Sequence, residues 1–344
     1  MKIDSIEIIP YELNFRNAYK NAIMKIDRRS GWIIKISSNG KIGLGDASPL
    51  EFFSRESYEQ SRYGLEGFKI AIESEEDYSF EELIKLSEAH GELHPSVEFA
   101  IDSAVYDLES KLKNISARNL ISESCIDYVK VCEYEKNSVD QYDGMVVKVK
   151  IDDTNLFHQV DKLISLVDKY SCDIKFRLDF NGSYDLPRAI RICKMLESFP
   201  IDYIEQPLAK ENYEDMYELS LHTDFSIAVD EMATNINSIY KILESDCADV
   251  FIVKPMLIGG IEKVHDIISL IKSENKRVNI SSLLESNVGR LMYLHMCSAF
   301  QIDEENGIAT NQFFESDLCE FPLAVRGCIK LDSSNGIGID AINL

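Results

Sequence analysis

A chain of 344 residues, 45% of them apolar, is long enough for one large domain or two ordinary ones around a sizeable core. Its 59 Asp and Glu against 36 Lys and Arg give a formal charge of -23, which opposes binding to nucleic acid or to an anionic membrane. No apolar run approaches the roughly 20 residues that span a bilayer, and the N-terminus lacks the apolar stretch of a signal peptide. Eight cysteines without a CxxC pair fit reduced thiols, so a cytoplasmic location is expected. The six histidines form no HExxH motif.

Residues 1–115 read as an α+β domain. KIDSIEIIPYEL and GWIIKISSNGKIGLGDASP alternate as strands, the latter turning tightly at Asn39-Gly40. SFEELIKLSEAH and PSVEFAIDSAVYDLESKL carry apolar residues at helical spacing.

Residues 116–325 follow a different pattern. The segments YVKVCEY, VVKVKI, IKFRLDF, IDYIEQP, FSIAVDE, DVFIVKP and RVNISS alternate with helix-like stretches such as LPRAIRICKMLESF and GIEKVHDIISLIKSE. Repeated strand-helix units imply parallel strands. The polar residues at the strand ends, Lys150, Asp179, Glu205, Asp230, Lys254 and Ser281, recur at spacings of 29, 26, 25, 24 and 27 residues. A βα unit of a barrel of about 250 residues needs about that length. The expected class is therefore α/β, a modified (β/α)8-type barrel. A doubly wound open sheet has no GxGxxG to support it. Residues 326–344, RGCIKLDSSNGIGIDAINL, are expected to form a turn-linked strand pair returning to the first domain.

In such a barrel, function gathers at the C-terminal ends of the strands. Asp179, Glu205 and Asp230 occupy three successive ends. A single Asp after a strand is ordinarily a turn residue or a helix cap. Three in register would repel one another without a cation, and oxygen ligands favour Mg2+, with Mn2+ possible. Asn181 and Glu231 stand beside two of them, as supports for the ligands or as caps for the following helices.

Lys148 and Lys150 end the strand before the first acid, and Lys254 ends the strand after the last. A KxK pair on a strand emerges on one face. Alone it is usually a solvated edge, and Lys254 alone a snorkelling rim residue. Here both strands are otherwise apolar and frame the acids. A cation between two opposed amines suits removal of a proton alpha to a carboxylate. Lys148 would lower the pKa of Lys150 and so make it a base near neutral pH.

The KxK, DFN, EQP, DE and VKP segments, in that order, resemble the enolase superfamily in its muconate lactonizing enzyme subgroup. FIVKPMLIGGIEKV, NISSLLESNVGRLMYLHMCSAF, GLGDASPLEFFSRES and PSVEFAIDSAVYDL are most similar to its o-succinylbenzoate synthase family. The resemblance covers nearly the whole chain. It implies a (β/α)7β barrel with an α+β capping domain, Mg2+ on Asp179, Glu205 and Asp230, and Lys150 as base and then acid in a syn dehydration. Lys254 would offset the enediolate charge, and Lys148 would tune Lys150. Ser281 and Ser282 would contact a succinyl group, and Gly307 lies on the last strand. SPLEFFSRES and the segment around NAIMKIDRRSG would form capping loops, where Arg28 or Arg29 could meet a substrate carboxylate, although a solvated loop is the expected reading for them. The partner implied is a small carboxylate, and the alternatives are an N-succinylamino acid racemase or dipeptide epimerase on the same scaffold, or a non-catalytic relative. Two departures stand out: Tyr184 where the family often has Trp, and Phe180 where it often has Ala.

Overall fold

The computed structural model describes residues 1–20, 24–72, 77–135, 146–151, 156–170 and 174–343, apart from the side chain of Lys20. Strands β1 (Ser5–Lys20), β2 (Lys25–Ser38) and β3 (Lys41–Ala47) form an antiparallel sheet in that order. β2 and β3 turn at Asn39 and Gly40, both with positive φ, as the NG pair requires. The long helix Pro95–Lys113 lies against β3. Gly43 and Gly45 allow that approach, because a Cβ on either would stand about 2 Å from the carbonyl oxygens of Ala104 and Ala100. Helices Tyr58–Ala71 and Phe80–Gly91 pack beside it, each opened by a serine capping box, Ser57 with Gln60 and Ser79 with Glu82.

Seven further strands make a second sheet, all parallel. β5 (Glu133–Tyr134), β6 (Val146–Lys150), β7 (Lys175–Asp179), β8 (Ile201–Glu205), β9 (Ser226–Val229), β10 (Val250–Val253) and β11 (Arg277–Ile280) are neighbours in sequence order. Two parallel bridges close the ring. Gly307 pairs with Ser281 just past β11, and Asn306 pairs with Val131 just before β5. The expected (β/α)7β barrel is the observed architecture.

Three details depart from the sequence reading. YVKVCEY is not one strand. β4 (Tyr128–Lys130) pairs antiparallel with β12 (Cys328–Lys330), and the chain then enters the barrel at Glu133. The C-terminal segment is accordingly no hairpin of its own. Past β12, Gly336 and Gly338 take positive φ, and a Cβ on Gly336 would stand 2.1 Å from Asp107 Oδ1. Asp107 clasps that segment: it accepts from the backbone N–H of Ile337 and Leu44 and from Lys111 Nζ. Finally, Lys25–Gly31 is strand rather than capping loop, while residues 21–23 lie outside the described residues. Arg28 pairs on the surface with Glu12, and Arg29 is buried, donating to the carbonyls of Ser48, Pro49 and Leu283. Neither lines the cavity described below. No helix among the described residues is long and apolar enough to cross a membrane.

His295, in the buried helix Asn287–Ala299, accepts the Arg118 backbone N–H at Nδ1. Burial and then Arg118 push its pKa down to about 4. The unfolded chain, with His near 6.5, binds the proton more readily, so this residue favours the fold above about pH 6.5 and that contribution is lost as pH falls toward 4. Urea unfolding of His295→Gln and the wild type should show the wild type losing about 3 kcal/mol more across that window. Asp102, which burial pushes up to about 7, slopes the opposite way but is common to both proteins and cancels in the difference.

Candidate active site

Strand alternation fixes where the β6 side chains go. Val147 and Val149 are buried behind the sheet, and Lys148 and Lys150 turn to the other face. Lys148 Nζ lies 2.6 Å from Glu205 Oε1 and 3.0 Å from Asp179 Oδ2. Burial opposes its charge, but the two carboxylates outweigh burial and hold its pKa well above the usual lysine range. The ammonium of Lys148 is therefore committed to the acids.

Asp179 closes β7 and sits opposite Lys150 on β6 and Glu205 on β8. Against the cost of burial, Lys148 and Lys150 lower its pKa. Burial raises that of Glu205 despite Lys148. Glu205 is fully buried, and its Oε2 finds no hydrogen-bond partner among the described residues. Asp230, just past β9, carries Lys254 Nζ on Oδ1. Burial pulls the Lys254 pKa down to about 7, with Glu205 acting against the shift and Lys148 adding to it.

Around these groups the backbone is held in unusual conformations. Asn181 has φ 44°, donates its backbone N–H to Asp179 Oδ1 (3.1 Å) and its amide to Glu231 Oε1 (3.2 Å). Gln206, with φ 39°, accepts at Oε1 from the N–H groups of Asp230 and Met232. In the sequence the only mark of Gln206 is a polar residue directly after the strand-end Glu205, and its burial appears with the fold. Burial, then Asp179 and Glu205, raise the Glu231 carboxyl to about 7, and its Oε2 also lacks a partner among the described residues.

One cavity gathers Lys148, Lys150, Asp179, Asn181, Asp230 and Lys254. Ser281, Ser282 and Thr310 line its far wall, while Tyr19, Met24, Leu50 and Phe53 cover it from the antiparallel-sheet side. Glu205 lies beneath Lys148, and Glu231 lines a neighbouring cavity. The Ser282 hydroxyl donates to Glu285 (2.6 Å) and accepts from Thr310, so Ser281 is the less committed of the two serines. Gly307 is a packing residue: a Cβ there would stand 2.6 Å from Ser281 Oγ. Tyr134 donates to its carbonyl. Tyr19 was also missed in the sequence, and it accepts a 2.6 Å hydrogen bond from Lys150 Nζ.

Two acid clusters are candidates to hold a cation. Among the described residues, the trio whose oxygens all lie within 4.8 Å of one another is Asp202, Glu304 and Glu305, at the N-terminal end of the barrel. Two guanidiniums already balance it. Arg177 pairs with all three acids, and Arg277 pairs with Asp202 and Glu304. Charge networks at that end of a barrel serve stability rather than catalysis. The strand-end acids Asp179, Glu205 and Asp230 stand wider, with Lys148 between the first two and Lys254 on the third. Their oxygen-only donor set and the orphaned Glu205 Oε2 fit a hard divalent cation. His90 and His94 are four residues apart but share no helix face, since His94 precedes Pro95 outside the helix that ends at Gly91.

A family model described as "Enolase C-terminal domain-like" matches residues 134–342, and one described as "MenC, N-terminal domain" matches residues 5–108. Similar curated proteins include muconate cycloisomerase 1 of Acinetobacter baylyi, 23% identical over 86% of this chain and 85% of that protein. The o-succinylbenzoate synthase of Bacillus subtilis is 21% identical over 99% of this chain and 94% of its own. The N-succinylamino acid racemase of Thermus thermophilus is 22% identical over 98% and 95%. Among solved structures, the dipeptide epimerase of Enterococcus faecalis complexed with Mg and L-Leu-L-Tyr superposes with a TM-score of 0.87 at 19% identity, covering 99% of this chain and 100% of that one. The N-succinyl Arg/Lys racemase of Bacillus cereus does so at 0.87 and 21%, covering 99% and 96%.

Proposed function

From the premise that the chain belongs to the enolase superfamily, we propose that it is an o-succinylbenzoate synthase, a Mg2+-dependent lyase of menaquinone biosynthesis. The observation that carries this reading is the match of residues 5–108 to the MenC N-terminal domain, the region that supplies Tyr19, Leu50 and Phe53 to the cavity. Lys150 and Lys254 reach the same cavity from strand ends on either side of the acids.

Asp179, Glu205 and Asp230 would hold the divalent cation, which when bound withdraws negative charge from the substrate carboxylate. Lys150 then takes the proton alpha to that carboxylate at Nζ. The electron pair of the broken C–H bond moves into the enediolate, whose charge the Lys254 ammonium offsets from the other side. The enediolate pair then forms the new ring C=C bond as the ring hydroxyl leaves with its C–O bonding pair, and Lys150 returns the proton to it so that water departs. Both steps occur on one face, which one lysine can serve. The covering side chains Tyr19, Met24 and Phe53 exclude solvent from the exchange.

The assay is dehydration of 2-succinyl-6-hydroxy-2,4-cyclohexadiene-1-carboxylate, followed by product absorbance. Turnover should require Mg2+, stop with a chelator and resume when Mg2+ or Mn2+ is restored. A second reading, N-succinylamino acid racemase or dipeptide epimerase, rests on the same two lysines, since a two-base racemase needs one on each face. Deuterium exchange at the alpha carbon of N-succinyl amino acids that outruns dehydration would select it and set the lyase reading aside.

A further inference from the structure

Only one residue of the antiparallel sheet bonds to a cavity lysine through its side chain, among the hydrogen bonds described: Tyr19, whose hydroxyl accepts from Lys150 Nζ at 2.6 Å. We propose that Tyr19 is the positioning residue for Lys150, fixing its amine over the cavity; this rests on the function proposed above. Lys150 Nζ also lies 4.2 Å from the Tyr19 ring centroid, so the ring face as well as the hydroxyl meets it. A lysine amine rides on a flexible four-carbon stem. Proton abstraction needs the reacting atoms about 3–3.5 Å apart, and a misplacement of about 1 Å costs on the order of 100-fold in rate. An anchor on Nζ restricts that freedom.

Tyr19 is itself built to be an anchor. β1 and β2 run in regular register as far as Asn14 opposite Arg28, and the next pair is Tyr19 opposite Ile26. β1 thus carries extra residues that bow its end over the barrel. The bowed arm is pinned there: Glu315 donates its N–H to the Asn14 carbonyl, and Phe15 bridges and stacks on Phe314 with centroids 4.7 Å apart. Phe15 (5.8 Å) and Phe313 (6.1 Å) then hold the Tyr19 ring from two sides. Lys254 is held by other groups, Asp230 and the face of Phe53. The two amines are therefore positioned independently, and loss of the Tyr19 hydroxyl should touch one of them alone.

Tyr19→Phe keeps the ring packing and removes the hydroxyl. The full chain is given a brief pulse of acetic anhydride, and acetyl-Lys150 and acetyl-Lys254 are quantified by mass spectrometry. Kinetics of dehydration with Mg2+ are measured in parallel. The ratio of label at Lys150 to label at Lys254 should rise about threefold, the scale of one net hydrogen bond. The kcat should fall at least about tenfold with KM within about twofold. An unchanged labelling ratio overturns the inference whatever the kinetics show. A wild-type protein that fails to dehydrate overturns the proposed function instead, and the labelling ratio still decides the role of Tyr19.

Discussion

Lys150→Ala is expected to remove dehydration activity, with kcat falling by at least about 10²–10⁴-fold, the range assigned to a positioned general acid–base. The loss should exceed this range in effect, because one amine both takes the proton and returns it. Lys150 lies at the end of β6 with its side chain in the cavity, so the strand register should survive its truncation. Circular dichroism and urea midpoint should therefore match the wild type. The diagnostic comparison is Lys254→Ala. It removes the cation opposite the base and leaves the proton carrier in place, so it should be the milder variant for dehydration on one face. Equal loss in both variants would instead mark a two-base reaction, and a fully active Lys150→Ala would remove the base from the account.

The second large effect concerns stability. Arg177 is fully buried, between Asp202 (2.7 Å) and Glu305 (3.0 Å), and it also donates to the Glu305 carbonyl. Despite the cost of burial, Arg177 and Arg277 lower the Asp202 pKa, so this acid is charged in the fold. Arg177→Met should leave Asp202 and Glu304 with Arg277 alone and take from Glu305 the guanidinium it pairs with, and breaking such a buried network costs about 3–5 kcal/mol. Equilibrium urea unfolding measures it. A loss below about 1 kcal/mol would show that Arg277 or water can take over the charge. Because this network sits at the N-terminal end of the barrel, KM should be unaffected wherever the variant remains folded.

The barrel and its rim were legible because two periodicities coincide. Parallel strands buried on both faces read as short apolar runs, and each run ends in a polar residue that the next βα unit repeats some 25 residues later. That is why Asp179, Glu205 and Asp230 fall on adjacent strands, and why Lys148 and Lys150 share a face. What stayed hidden depends on contacts between segments distant in sequence. Tyr19 lies past the strand expected over KIDSIEIIPYEL, in a stretch without a motif, and only the irregular end of β1, pinned by Glu315 and Phe314, brings it to Lys150. Arg29 reads as a solvated loop residue, yet three carbonyls from two distant segments solvate it in the interior. YVKVCEY has the pattern of one strand, and it divides because β12 takes its first half. Gln206 and Arg177 are polar residues inside apolar runs, where their hydrogen-bond partners become visible only in the fold.

The most direct test is Mn2+ binding followed by electron paramagnetic resonance in the wild type, Asp179→Asn and Glu304→Gln. The strand-end acids should bind one ion per chain, Asp179→Asn should weaken that site, and Glu304→Gln should leave it as it was. Binding that survives Asp179→Asn and disappears with Glu304→Gln would put the ion between the arginines at the opposite end of the barrel, away from both lysines.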